Sequence, residues 1–302
     1  MKLINPEVRI EVCNLCQANC VMCSHNIMTR RSGTMGTEFF KSLVKQAKEM
    51  GAELISPFGF GESLLDLDLE AKIQYCTDLG LDTFITTNGS LCDTERAIKL
   101  FNAGLTHIRF SIHAINKENY EKIHRNLRWE KVTRNLHSTF AIKEEFFPDR
   151  KVSLTAIPMS GEKVSRIRDY WEGLVDDIEI WVPHGWGGKK HYRKLNRKRK
   201  TCDRPFTGPA QIEWDGTVIA CCFLTDNEII LGNAHNKSIE EILKDKPYEE
   251  LREKHRSGDL SGLPCEFCDQ LNIEDESPLL YSSIDKERNI NTTSSMKFNL
   301  LK

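Results

Sequence analysis

Cysteine is the most reactive residue type in this sequence of 302 residues, and its eleven copies are not spread evenly. Four lie within eleven positions near the N-terminus, five lie between residues 202 and 268, and two lie in between. Thiolates are soft ligands for zinc and iron, and clustered thiols in a reducing compartment are more often metal ligands than disulfides. The distribution therefore predicts two metal centres in two structural units. The first group is Cys13, Cys16, Cys20 and Cys23, and the second is Cys202, Cys221, Cys222, Cys265 and Cys268.

The rest of the composition is that of an ordinary globular protein, with 39% hydrophobic residues and a formal net charge of −2. This balance gives no field that would select nucleic acid or a membrane surface as a partner. The start "MKLINPEVRI" lacks the apolar run of a signal peptide, and no stretch is apolar over the length of a membrane span. We expect a cytoplasmic protein whose thiols are kept reduced.

The spacing of the cysteines in the first group indicates which kind of metal centre they hold. Cys16, Cys20 and Cys23 form a C-x3-C-x2-C pattern, whereas zinc sites usually take four protein ligands. Three thiolates without a fourth partner suit an iron–sulfur cluster in which one iron keeps an open position. A zinc knuckle with His25 as its fourth ligand is the alternative.

The elements that must position these cysteines alternate between strands and helices. Six such units predict an α/β fold with parallel strands joined by right-handed crossovers, as in a partial (β/α)6 TIM barrel. A closed eight-fold barrel is disfavoured because the alternation stops near residue 190. In such barrels the chemistry lies at the carboxyl ends of the strands. The predicted strands cover residues 8–12, 52–60, 82–88, 107–113, 151–159 and 177–183.

Composition also predicts the domain boundaries. The run "KKHYRKLNRKRK" reads as a basic linker, and the late cysteines follow it on a short hairpin that turns at Asp215-Gly216. The C-terminal tail is polar, so we expect it to be poorly ordered. The predicted division is a barrel over 1–188, a linker over 189–201, a cysteine-rich domain over 202–275 and a tail over 276–302.

The cysteine loop after the first strand resembles that of the radical S-adenosylmethionine (SAM) enzymes, and further motifs follow in the same order through residues 8–183. The resemblance implies a [4Fe-4S] cluster held by Cys16, Cys20, Cys23 and SAM. It also implies an electron donor such as flavodoxin or ferredoxin. Reductive cleavage of SAM would then give methionine and a 5′-deoxyadenosyl radical that abstracts a hydrogen atom from the substrate.

The resemblance assigns the SAM contacts one by one. "FGFGES" is similar to a Gly-Gly-Glu segment in which Phe60 replaces the first glycine, and "TTNGSL" is similar to a Thr-Asn-Gly turn, although a plain turn is the alternative. In "YEKIHRNLRWEKV" the family often has an arginine; His124 occupies that position and the adjacent Arg125 is chosen. His113 lies two residues beyond Ser111 and so on the same side of its strand, toward the cavity. The expected SAM contacts are Met22, Gly61, Glu62, Thr87, Asn88, Ser111 and Arg125.

The second cysteine group resembles the family's C-terminal SPASM extension, in its shortened form called a twitch domain. This implies one auxiliary [4Fe-4S] cluster on Cys202, Cys221, Cys265 and Cys268, with a structural zinc site as the alternative. Neighbouring residues on a strand point to opposite faces, so Cys222 is expected to be a spare thiol and a candidate hydrogen donor.

Substrate contacts are expected where the sixth strand ends, in "WVPHGWGGKKHYRK". A ring, a base and cations that could bind an anionic group of the substrate would come from His184, Trp186, Lys189 and Lys190. A solvated basic linker is the alternative interpretation of the lysines.

The resemblance favours a small substrate. The first strand begins at once, which leaves no room for a peptide-recognition domain, and the layout is similar to aminocyclitol dehydrogenase and aminoglycoside epimerase members. We expect a sugar-like or aminocyclitol substrate whose carbinol is dehydrogenated, with the auxiliary cluster as electron acceptor. The alternatives are epimerisation with a thiol of Cys222, Cys92 or Cys13 as hydrogen donor, modification of a ribosomal peptide, and a non-catalytic iron–sulfur or zinc protein.

Overall fold

The computed structural model describes residues 1–196, 199–272 and 279–284. Its helices are α1 (Thr37–Glu49), α2 (Leu69–Asp78), α3 (Thr94–Asn102), α4 (Lys117–Ile123), α5 (Trp129–Phe146), α6 (Val164–Trp171), α7 (Arg204–Thr207), α8 (Ile239–Lys244) and α9 (Lys246–Ser257). Its strands are β1 (Glu7–Ile10), β2 (Asn19–Cys20), β3 (Leu54–Ser56), β4 (Asp82–Thr87), β5 (His107–Ser111), β6 (His124–Arg125), β7 (Lys151–Ala156), β8 (Asp177–Trp181), β9 (Ala210–Ile212), β10 (Thr217–Ile219), β11 (Ile230–Asn233) and β12 (Leu279–Ser282).

The predicted α/β fold is confirmed. Six strands run parallel in the order β1-β3-β4-β5-β7-β8, and each overlaps one of the six segments expected from the sequence. None of the described helices is both long and apolar enough to cross a membrane.

The cysteine-rich region continues this sheet instead of standing apart from it. Strand β9 pairs in parallel with β1, and β10 and β11 add antiparallel strands beyond it. Helix α8 packs against α1, where Gln46 Oε1 accepts a hydrogen bond from the amide of Ile239 at 2.9 Å. The auxiliary region therefore forms one wall of the barrel, and the domain limits given above stay a prediction.

The expectation of a poorly ordered tail is wrong for residues 279–282. These residues form β12, which pairs antiparallel with β8 at the other end of the sheet. All four are buried, so apolar and backbone contacts hold this segment despite the polar sequence around it. The rest of the predicted tail, apart from Ser283 and Ile284, lies outside the described residues.

Alternation along β1 explains how the sheet carries a polar interior. Val8 and Ile10 are fully buried in the hydrophobic core, whereas Arg9 and Glu11 line a cavity on the other face. Successive side chains of a strand point to opposite faces, so one short strand supplies both core and site.

Candidate active site

A cavity of about 450 Å³ lies at the carboxyl ends of the parallel strands. It is lined by the three loop cysteines Cys16, Cys20 and Cys23, and by Met22 between them. The predicted strand-end residues also border it, namely Gly61, Glu62, Thr87, Asn88, Ser111 and His113. Residues separated by up to about a hundred positions therefore meet at one surface, where a cofactor and a substrate can be held together.

Local structure fixes the three thiols of the loop. Cys20 lies in β2, which pairs with β6 so that Cys20 faces His124. The Cys23 sulfur accepts a hydrogen bond from the amide of His25 at 3.4 Å and caps a short 3-10 turn. Burial raises the pKa of the Cys16 thiol to about 11, so the thiols must lose protons when a metal binds.

His25, the fourth ligand of the zinc alternative, is otherwise engaged. Its Nε2 lies 2.8 Å from the carbonyl oxygen of Asn14. Three thiols on one cavity wall, with His25 turned to a backbone carbonyl, fit a cluster that leaves one iron open to a further ligand.

Glycine is required at position 61 because the strand end approaches the cysteine loop closely. A Cβ there would lie 2.4 Å from the carbonyl oxygen of Cys13 and 2.5 Å from the Cα of Asn14. The next amide, that of Glu62, donates to the carbonyl of Leu15 at 2.7 Å. Backbone contact of this kind holds the loop against the second strand of the barrel.

The Glu62 carboxylate is occupied by the protein itself. It accepts hydrogen bonds from the Thr87 hydroxyl at 2.8 Å and from the amides of Asn88 at 2.7 Å and Leu64 at 3.2 Å. Asn88 in turn lies with its Nδ2 4.0 Å from the Cys16 sulfur. Glu62 thus positions the Thr-Asn-Gly turn against the cluster loop, and contact of these residues with SAM stays a prediction.

Two histidines connect the cysteine loop with the cavity. The rings of His113 and His124 stack with centroids 4.7 Å apart, and Tyr120 stacks on the other face of His124 at 4.5 Å. His124 Nδ1 lies 3.3 Å from the Cys20 sulfur. Burial lowers the pKa of His113 to about 3 and that of His124 well below its usual value, so both rings are neutral.

Three of the residues predicted to contact SAM or substrate do not border the large cavity. Arg125 is exposed and does not border the cavity; its neighbour His124 does, because adjacent residues of β6 face opposite sides. Lys189 instead pairs with Asp226 at 2.7 Å and Glu228 at 2.5 Å. Lys190 donates to the carbonyl of Val21 at 2.9 Å. Both lysines therefore brace neighbouring loops and do not reach the cavity.

His184 and Trp186 do line the cavity. Trp186 Nε1 donates to the carbonyl of Met22 at 2.7 Å, which ties the end of the barrel to the cysteine loop. The His184 ring packs on Phe223 at 4.5 Å, and burial lowers the pKa of His184 to about 4. A neutral imidazole and an indole are thus available to a substrate.

The late cysteines border a second, smaller cavity of about 30 Å³. Cys202, Cys221, Cys265 and Cys268 all line it, as the ligand set predicted for one auxiliary cluster would. Cys222 lines the large cavity instead. Both Cys221 and Cys222 lie beyond the last residue of β10, so strand alternation is not what separates their two environments.

The other candidate thiols lie elsewhere. Cys92 is fully buried with its sulfur 3.6 Å from the Thr139 hydroxyl, and Cys13 is buried with its sulfur accepting from the Leu15 amide. Neither borders the large cavity. Outside the three loop cysteines, Cys222 is the one cysteine of the described residues that does so.

Several charged residues of the site were missed by the sequence analysis. Arg9, Glu11, Arg109, Arg204 and Glu213 all line the large cavity. The signal was present in "VRIEV", where charges alternate with core residues along a predicted strand. The approach of Arg204 and Glu213 could not be read from the sequence, because it depends on β9 joining the sheet.

Comparisons with protein-family models identify the family of the chain. Residues 10–172 match the family model of the radical SAM superfamily, and residues 202–269 match that of the SPASM iron-sulfur cluster-binding domain. The chain belongs to the radical SAM superfamily and carries a C-terminal SPASM domain. The first domain implies a [4Fe-4S] cluster with SAM, and the second implies auxiliary iron–sulfur ligation.

Individual relatives are distant. The chain is 29% identical over 111 residues to the PqqA peptide cyclase of Bradyrhizobium diazoefficiens, covering 36% of this chain and 29% of that protein. The chain thus spans less than a third of this curated relative.

Two solved structures share the fold. BtrN in complex with AdoMet and 2-DOIA has a TM-score of 0.64 at 18% identity, covering 93% of this chain and 100% of BtrN. Streptococcus suis SuiB bound to precursor peptide SuiA has a TM-score of 0.68 at 16% identity, covering 88% of this chain and 70% of SuiB. At these identities the likeness concerns the fold alone.

Proposed function

We propose that this radical SAM enzyme oxidises a carbinol of a small polar substrate, sugar-like or aminocyclitol, in the large cavity. When bound, the cluster and SAM supply the radical that removes one hydrogen atom from carbon. The observation that carries the proposal is that the two cavities share a wall: Arg204, Phe223 and Gln270 line both. An electron acceptor on the four late cysteines would lie about one side chain away from the substrate.

The protein's own residues would complete the oxidation. After loss of the hydrogen atom, the carbinol radical becomes a carbonyl by losing one electron and its hydroxyl proton. A cluster held by the four late cysteines would accept the electron, and the proton would pass to solvent. His113 Nδ1 is buried and makes no hydrogen bond within the described residues, and its low pKa keeps it neutral. It can therefore accept a hydrogen bond from the hydroxyl and orient it. Aromatic walls at Trp181 and Trp186 exclude water from the reacting carbon.

Epimerisation is the second candidate, and the placement of Cys222 favours it. Its sulfur borders the large cavity and accepts a hydrogen bond from Arg204 Nη1 at 3.4 Å. A thiol on the far side of a substrate radical could return a hydrogen atom to the opposite face. This outcome leaves the oxidation state of the substrate unchanged. It leaves a thiyl radical on Cys222, which one electron from the external electron donor and one proton would return to the thiol.

Peptide modification is the third candidate, supported by the names of two relatives. The cyclase relative is named for a peptide substrate, and SuiB is solved with a precursor peptide. The cavity of about 450 Å³ is large enough for one or two side chains as well as for a monosaccharide ring.

The test begins with anaerobic reconstitution. Two four-iron clusters predict about eight irons per chain, and dithionite with SAM should give 5′-deoxyadenosine and methionine. Cys16→Ala, Cys20→Ala or Cys23→Ala should abolish this cleavage, whereas Cys76→Ala should retain it, because Cys76 is buried in the core away from the cavity. Stoichiometric zinc without 5′-deoxyadenosine would end the enzymatic interpretation.

The reaction type is determined by incubating the enzyme in deuterated water with a panel of aminocyclitols and amino sugars and measuring the mass of the products. Dehydrogenation gives a product two hydrogens lighter without carbon-bound deuterium from this step. A stereoisomer that carries one deuterium indicates epimerisation instead. Turnover of a peptide and of no ring compound would favour the third candidate.

A further inference from the structure

Two carboxylates and one guanidinium meet at the wall of the large cavity between β1 and β9. Arg30 binds Glu11 through two parallel hydrogen bonds, Nη1 to Oε1 at 2.8 Å and Nη2 to Oε2 at 2.7 Å. The Glu11 carboxylate also accepts from the amide of Phe60 at 2.9 Å. Bidentate pairing of this kind neutralises Glu11 and occupies the guanidinium plane.

Glu213 is the member of this group whose carboxylate oxygens lack hydrogen-bond partners within the residues that the structure describes. It is 2% exposed, and its Oε2 lies 3.3 Å from Arg30 Nη1, yet neither oxygen makes a hydrogen bond of regular geometry among the described residues. Burial and the charge of Glu11 raise the pKa of Glu213 to about 8, although Arg30 and the Asn227 side chain oppose this shift. Near neutral pH Glu213 is therefore largely protonated when no ligand is bound, and a positively charged ligand would favour its ionised form.

The other cations of the cavity are already committed. The pairs are Arg9 with Glu7 at 2.7 Å and Arg109 with Glu179 at 3.0 Å, and Arg204 donates to the Cys222 sulfur and lies in the field of Cys221, Cys202 and Cys268. None of these groups can serve Glu213 without giving up its own partner. A positive charge that stabilises the ionised form of Glu213 would therefore come from what enters the cavity.

We propose that Glu213 binds a protonated amino group of the substrate, so that the substrate is a small polar ring compound carrying a primary amine. This rests on the proposed function and names the feature by which the site selects its substrate. An ammonium group supplies one charge and three donors, which matches a carboxylate whose oxygens lack hydrogen bonds. The Trp186 ring lies 5.7 Å from that of Phe60 on the same cavity and offers a face that also favours a cation, whereas the Phe60 ring already carries Arg30 at 5.5 Å.

The experiment measures binding of paired probes to the reconstituted holoenzyme with SAM, by anaerobic calorimetry. The pairs are glucosamine with glucose and 2-aminocyclohexanol with cyclohexane-1,2-diol. Nα-acetyl-lysine methylamide tests a peptide amine. We expect the ring amines to bind about tenfold or more tightly than their hydroxyl partners and than the lysine derivative, because one additional charged hydrogen bond is worth about 1.4 kcal/mol.

Glu213→Gln should remove this preference, whereas Glu38→Gln on the exposed face of α1 should leave it intact. The proposal would be overturned if the wild-type protein bound both members of each pair equally. This outcome does not depend on the folding of any variant. A preference that survives in Glu213→Gln would also overturn it, and tightest binding of the lysine derivative would reassign the amine to a peptide. SAM cleavage is measured separately, so failure of the proposed function and failure of this inference are distinguishable.

Discussion

His124 Nδ1 lies 3.3 Å from the sulfur of Cys20, and the opposite nitrogen of the same ring, Nε2, accepts a hydrogen bond from the backbone amide of His113 at 3.1 Å. A neutral ring that accepts at Nε2 carries its proton on Nδ1. His124 therefore donates an N–H···S hydrogen bond to a residue of the cluster loop. Hydrogen bonds to ligand sulfurs stabilise the more negative, reduced form of an iron–sulfur cluster.

His124→Phe should lower the reduction potential of the N-terminal cluster by on the order of tens of millivolts, because the donor is lost while the aromatic stack is kept. An EPR-monitored redox titration of reconstituted protein measures the change. Tyr120→Phe is the matched control, since the Tyr120 hydroxyl makes no hydrogen bond within the described part of the chain. Equal potentials in wild type and His124→Phe would contradict the assignment of the proton to Nδ1.

Cys222→Ala separates the two leading reaction types. If the enzyme dehydrogenates its substrate, the variant should retain turnover within a few-fold, because electron transfer to the auxiliary site does not need the thiol. Product analysis by mass in deuterated water is the measurement, with Cys92→Ala as a control for loss of a buried thiol away from the cavity. Loss of product with continued formation of 5′-deoxyadenosine would instead assign Cys222 as a hydrogen donor.

Arg204→Gln should lower the reduction potential of the auxiliary cluster. The Arg204 guanidinium donates a hydrogen bond to Cys222 and interacts electrostatically with Cys221, Cys202 and Cys268. The positive charge of Arg204 therefore offsets the negative charge of the thiolates. Removing one charge at this range is expected to shift the potential by on the order of tens of millivolts. Arg204→Lys should restore part of the shift. A titration in which both variants match wild type would show that the charge is screened.

Gly61→Ala should destabilise the protein by about 1–3 kcal/mol and reduce iron loading, because its Cβ would collide with the backbone of the cysteine loop. Gly36→Ala is the matched control: a Cβ there meets nothing within 4 Å, and its φ of −63° suits any residue. Chemical denaturation and iron analysis of both variants give the comparison. Normal iron content in Gly61→Ala would mean that the loop can move away without loss of the cluster site.

The amino-acid sequence by itself determined the class of chemistry and the scaffold. Cysteine spacing is a local property, and a ligand set on one short loop needs no tertiary information to be recognised. The six parallel strands were also readable, because period-two and helical apolar patterns are imposed by burial of each element. Cys16, Cys20 and Cys23 and the strand-end motifs were found in this way.

Tertiary structure alone decided which neighbours of these motifs face the cavity. His124 and Arg125 are adjacent in sequence, but pairing of β6 with β2 turns the histidine inward and the arginine outward. Glu213 reaches Arg30 because β9 pairs with β1 across some two hundred residues. The tail strand β12 pairs with β8 across about a hundred residues. Such contacts depend on the free energy of the whole packed sheet, which no local pattern encodes.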